Sequence, residues 1–127
     1  MRKAHAVHNE ELCELLISTG KYNDWVVTTA FYSAVNYVKH QMFPLEHDKI
    51  TYDEFSDYYS FISQKNNTSP HKALINLVRN DLHYCKNAYK WLHDQCHNAR
   101  YNNYVVSDPI AAEARKKLEV VKSSCKK

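Results

Sequence analysis

The chain has 127 residues, with 17 Lys and Arg against 14 Asp and Glu, and a formal charge of +3 when its eight histidines are neutral. That length makes one domain able to bury a core without a metal or disulfides, and so small a net charge does not by itself specify a nucleic-acid partner. A single glycine argues against a hairpin-rich β fold.

In chain order, residues 1–8 are expected to fray, and a first helix is expected to start near Asn9. Glu10 and Glu11 in its first turn would favour the helix dipole, Leu12, Leu15 and Leu16 would form its apolar face, and Gly20 would stop it. A second helix is predicted from Asp24 to Met42, ended by Pro44. Its apolar residues, from Trp25 to Val38, run nearly all the way round, which marks a central helix with neighbours on several sides. Thr51 followed by Glu54 reads as a capping box for a short aromatic helix from Tyr52 to about Gln64.

Asn66 to Ser69 is the clearest break. Ser69 as N-cap with Pro70 at the first helical position opens the next helix, with Leu74, Leu77 and Val78 inward. This helix continues, or bends near Asn80-Asp81, into a long helix through Arg100. A last helix begins at Asp108-Pro109 and buries Ile110, Ala114, Leu118 and Val121, and residues 123–127 form a frayed basic tail. The chain is therefore expected to be all-α, an antiparallel up-and-down bundle of five to six helices in a single domain over residues 9–122.

Cys13, Cys85, Cys96 and Cys125 form no CxxC pair, so neither a zinc ribbon nor a thioredoxin-like motif is expected. The N-terminus lacks the apolar stretch of a signal peptide and no apolar run approaches a membrane span, which places the protein in the cytoplasm with no membrane partner. No GxGxxG, Walker or GxSxG motif occurs. Residues 46–57 are acidic, whereas from Arg100 onward seven Lys or Arg face three Asp or Glu. Solvated surface and attraction between subunits both account for that asymmetry.

His93-x-x-x-His97 puts two imidazoles one turn apart with Cys96 nearby, the start of a metal site. No third ligand stands at a recognisable spacing, so these histidines are read as surface or interface groups and no metal or cofactor is assigned. On the second helix, Tyr32, Asn36 and His40 follow one another at i, i+4 and i+8. Buried polar groups need partners, so this line is expected to meet His71, Arg100 or Tyr101. It forms either a structural network that holds helix register or a pocket offering Arg100 to a phosphate or carboxylate and the faces of Tyr32 and Tyr101 to a base.

The order of the segments carries a resemblance. The aromatic-rich helix from Trp25, the segment His71-Lys-Ala-Leu-Ile-Asn-Leu-Val, a helix ending Ala99-Arg100-Tyr101, and Asp108-Pro-Ile-Ala-Ala-Glu-Ala-Arg resemble HEPN domains (higher eukaryote and prokaryote nucleotide-binding) over roughly residues 22 to 122. The resemblance implies a helical bundle that often homodimerises, commonly in bacterial or phage conflict systems such as toxin–antitoxin pairs and phage defence. Many of its members are metal-independent ribonucleases that use an Arg and a His four to six residues apart. Here only three residues separate Arg79 from His83, and Arg100 has no histidine after it. A closer likeness is to the mostly non-nuclease subset with a His71-like residue and an Arg-Tyr ending. The expectation is a non-enzymatic nucleotide-binding or protein-interaction module, with Tyr32, Asn36, His40, His71, Arg100 and Tyr101 as ligand-binding residues. The alternatives are a ribonuclease toxin using Arg79 and His83, and a partner subunit of a nucleotidyltransferase or defence complex.

Overall fold

The computed structural model describes residues 1–127 as six α-helices and one small hairpin: α1 (Arg2–Thr19), α2 (Asn23–Met42), β1 (Leu45–His47), β2 (Ile50–Tyr52), α3 (Phe55–Lys65), α4 (Pro70–Asp81), α5 (Lys86–Tyr101) and α6 (Asp108–Ser124). A 3-10 turn over His83–Cys85 joins α4 to α5, so the bend expected near Asn80-Asp81 is a full break. No helix is long and apolar enough to cross a membrane.

α2 is the central helix, with α1, α5 and α6 packed around it. The pairings give the directions. Cys13 Sγ donates to the Val26 carbonyl and Ser33 Oγ to the Ala6 carbonyl, so α1 runs antiparallel to α2. Phe31 meets Tyr89 and His93, while Cys96 lies beside Thr28, so α5 is also antiparallel to α2. Asn23 bonds Asp108 and Gln41 accepts from the Lys127 amide, which makes α6 parallel to α2. Helices α1, α2, α5 and α6 thus alternate in direction, with α4 laid against α5. The buried cluster runs from Ala6 and Cys13 through Val26, Val27 and Phe31 to Tyr89, Leu92, Leu118 and Val121.

Three expectations about the first half of the chain are corrected. α1 begins at Arg2, not Asn9, because Ala6 is fully buried and its carbonyl accepts from Ser33 at 2.7 Å. Its buried face is Ala6, Glu10 and Cys13, small or polar residues that let α2 come close, whereas Leu12 and Leu15 point outward. Glu10 lies mid-helix, taking a hydrogen bond from Tyr37 Oη at 2.7 Å and an ion pair from Lys122 at 3.2 Å. It serves no N-terminal role.

The second correction is the hairpin, made without glycine. Asp48 and Lys49 both have positive φ, 51° and 67°, and form a two-residue turn that pairs His47 with Ile50 and Leu45 with Tyr52. Asp tolerates the left-handed region better than most residues. The third follows from it. Thr51 and Tyr52 are strand residues, so α3 starts at Phe55, and it is Asp57 that accepts from the Glu54 amide. Tyr52, Phe55 and Tyr58 then pack with Phe43 in one aromatic cluster.

The last three helices start close to the expected Ser69-Pro70 and Asp108-Pro109 positions and after the break at Asp81. Ser69 caps α4 by accepting from the Lys72 amide, and Ser107 caps α6 by accepting from the Ile110 amide. At the C-terminal end, Lys127 bonds Gln41 and the Phe43 carbonyl, and its own carbonyl accepts from Lys3.

Candidate functional site

A cleft of about 870 Å³ opens between α2, α4 and α5. Phe31 and Tyr32 come to it from α2, while α4 contributes His71, Lys72, Asn76 and Arg79. From α5 come Lys86, Lys90, His93, His97, Arg100 and Tyr101. These α5 residues recur at steps of four and three, which keeps them on one face of the helix.

The lining includes five permanent cations (Lys72, Arg79, Lys86, Lys90, Arg100), three histidines (His71, His93, His97) and no carboxylate. Of the five, only Lys90 is paired, with Asp94 at 2.8 Å. Arg79 donates to Asn76 Oδ1, its one side-chain partner, and the Arg100 side chain makes neither a hydrogen bond nor an ion pair within the chain. In a domain of charge +3, so uncompensated a group marks a place for anions.

The imidazoles and tyrosine form a ladder of rings. His71 lies 5.6 Å from both Phe31 and His93, His93 stacks on His97 at 6.3 Å, and His97 meets Tyr101 at 4.9 Å. Asp94 sits behind the ladder, where its Oδ1 is 3.0 Å from His93 Nδ1. With Nδ1–H donating to that carboxylate, Nε2 is left as an acceptor on the other side of the ring. Burial raises the Asp94 carboxyl pKa, but hydrogen bonds from Lys90 and His93 outweigh it, and the group is held below its ordinary value. The His71 pKa is lowered by desolvation, then by the nearby charges of His93 and Lys39. At the floor, the Cys96 thiol is pushed up by burial against a hydrogen bond to Thr28 and the charge of Arg100, so it stays protonated and unreactive.

Of the ligand-binding residues expected from sequence, the structure brings Tyr32, His71, Arg100 and Tyr101 together in this cleft. It does not bring Asn36 or His40 there. Each step of four residues rotates about 40° round a helix, so His40 is turned about 80° from Tyr32 and displaced about 12 Å along the axis. Asn36 bonds the Tyr32 carbonyl and accepts from Arg2, while His40 lies near Lys3 and Lys127. The line was therefore split: its first member belongs to a pocket and the rest to the end where α1 and α6 meet.

Arg79 and His83 are also parted. Arg79 lines the cleft, but α4 ends at Asp81 and the 3-10 turn carries His83 to a separate depression with Tyr84, Lys116 and Glu119. His93 and His97 form a wall of the cleft. Their rings stack one over the other, and no group of three or more metal-ligating side chains gathers anywhere in the fold. Sequence reasoning missed Lys72, Lys86 and Lys90; the signal for Lys86 and Lys90 was the four-three spacing from Lys86 to Arg100, hidden because each is an ordinary surface lysine taken alone, and Lys72 on α4 carried no such signal.

Comparison with protein-family models, curated proteins and solved structures returns no match to this chain.

Proposed function

We propose that this is a nucleotide-binding helical domain, related in design to the HEPN domains its sequence resembles. The single observation that carries the proposal is the cleft between α2, α4 and α5, where five cations and three histidines converge without a carboxylate. Arg100, whose side chain has no internal partner, takes a phosphate through its planar fork, and Lys72 and Lys86, neither of them in an ion pair, add charge from either wall. Tyr32 and Tyr101 supply ring faces for a base. The test is a thermal-shift panel of nucleoside mono-, di- and triphosphates. A bound nucleotide at a hundred times its Kd raises the melting temperature by roughly 5–10 °C, and Arg100→Ala removes the shift while keeping the unliganded melting temperature. No shift with any nucleotide rejects the proposal.

One observation favours a second reading, metal-independent ribonuclease action at the same cleft. Asp94 orients His93 beside His71, their ring centroids 5.6 Å apart, with Arg100 and Lys90 lining the same cleft. In that arrangement His71 acts as general base on a 2′-hydroxyl and His93 as general acid to the leaving 5′-oxygen. Cleavage of RNA in excess chelator, abolished in His93→Ala, supports it; cleavage that survives in both His71→Ala and His93→Ala rejects it. The homodimer expected of this family fits Leu12 and Leu15, left uncovered on α1. Light scattering of the wild type against Leu15→Glu measures whether they are an interface.

A further inference from the structure

The cations and exposed rings of the cleft are spread along a line, and their spacing says more about the ligand than their number. On α5, Lys86, Lys90, His93, His97 and Arg100 occupy one face over fourteen residue steps, about 21 Å of helix at 1.5 Å per residue. On the facing wall Lys72 and Arg79 are about 10 Å apart. Because His71 stands level with His93, the two cations of α4 lie opposite the stripe on α5. The phosphates of one mononucleotide gather at one place on such a stripe. A chain of phosphodiesters reaches all of it.

The aromatic groups follow the same line and continue beyond the cleft. Tyr101 is 72% exposed at its mouth, and Tyr104 in the following loop is 74% exposed. Trp25 precedes Tyr32 by seven residues, two turns along the same face of α2, and lies toward the Arg100 end because α2 and α5 are antiparallel. For a tryptophan on the central helix it is unusually open, at 50%. That end is held in place: Asn23 donates to both the Val106 carbonyl and Asp108, pinning the loop that carries Tyr104 against the start of α2. A positive groove with exposed rings along it is the arrangement by which single-stranded nucleic acid is held, phosphates on the cations and bases on the rings.

We propose that the cleft holds a single strand of nucleic acid, with at least three successive phosphates along α5 and bases stacked on Tyr32, Trp25, Tyr101 and Tyr104. This rests on the nucleotide-binding proposal above and goes beyond it in naming the ligand as a strand. Trp25 and Tyr104 become specificity residues that a mononucleotide would not need.

The experiment is fluorescence anisotropy with end-labelled oligouridylate and oligothymidylate of three, six and twelve nucleotides, with unlabelled UMP, ATP and inorganic polyphosphate as competitors. The six-nucleotide strand binds at least tenfold more tightly than either mononucleotide competes. Contacts with three phosphates of a single strand give a slope of log Kobs against log salt of about −2. Trp25→Ala weakens the strand about tenfold, in line with loss of one stacked base, while leaving ATP binding within twofold. Affinity that does not change with length overturns the strand while the nucleotide-binding proposal stands. Polyphosphate that competes as well as the strand, with Trp25→Ala and Tyr104→Ala neutral, overturns the stacking of bases and with it the inference. Absence of binding by strands and by ATP alike removes both proposals. Preference for uridylate over thymidylate separates RNA from DNA, and either strand supports the inference.

Discussion

Single residues in this fold carry opposite debts to burial. Tyr37 and Glu10 satisfy each other between α1 and α2, and desolvation, together with the hydrogen bond to Glu10, drives the tyrosine pKa upward. Tyr37→Phe leaves a buried carboxylate with one partner fewer, and urea titration should show a loss of about 1–3 kcal/mol. Tyr89 is the reverse case. Its hydroxyl is buried against Phe31 with no hydrogen-bond partner, so Tyr89→Phe is expected to stabilise the protein by about 1 kcal/mol. The same titration checks both. His71 gives the pH dependence. Its folded pKa lies below the ordinary 6.5, so the unfolded chain takes the proton first. Its contribution to stability is whole above that value and is lost as pH falls through it. A phosphodiester strand in the cleft has the contrary preference, since it favours the protonated form of His71, which faces it from α4. Affinity for an oligonucleotide, whose diesters do not titrate in this range, should therefore rise as the pH falls below 6.5, and His71→Gln should flatten the rise.

At the scale of elements, the signals that succeeded were local and those that failed were overruled by packing. Ser69-Pro70 marks a helix start because the side-chain oxygen and the fixed proline φ act within one turn, and Asp108-Pro109 marks the next, although the side chain that caps it is that of Ser107. The start of α1 could not be found that way: Met1 makes no side-chain cap, and the helix is held to Arg2 by Ala6 against Ser33, twenty-seven residues away. The missed hairpin has a similar cause. Asp48 and Lys49 adopt the left-handed conformation that glycine usually supplies, and their neighbours read as a loop. Where glycine does appear, it is needed for its backbone alone. Gly20 ends α1 at φ 68° with open space around its α-carbon, so Gly20→Ala should cost about 1 kcal/mol from strain, and Gly20→Asn less, by thermal melting of the two variants.

Across the whole molecule, the four residues of the expected site that converge are those whose helices the core brings together. Tyr32, His71 and Arg100-Tyr101 stand on α2, α4 and α5, around Phe31 and Cys96. Asn36 and His40 failed because spacing along one helix was read as a straight line, when a step of four drifts round the axis and over two steps leaves the face. The lysines failed for a different reason: a charge on a surface helix is normally solvated, and only the facing wall of α4 turns those on α5 into a groove. The eight histidines provide the most direct test of that groove, because three line it and five do not. Imidazole resonances followed by NMR during titration with a nucleotide should move for His71, His93 and His97 and stay in place for His5, His8, His40, His47 and His83. Shifts confined to the second group, or none at saturating nucleotide, would contradict the assignment of the cleft as the binding site.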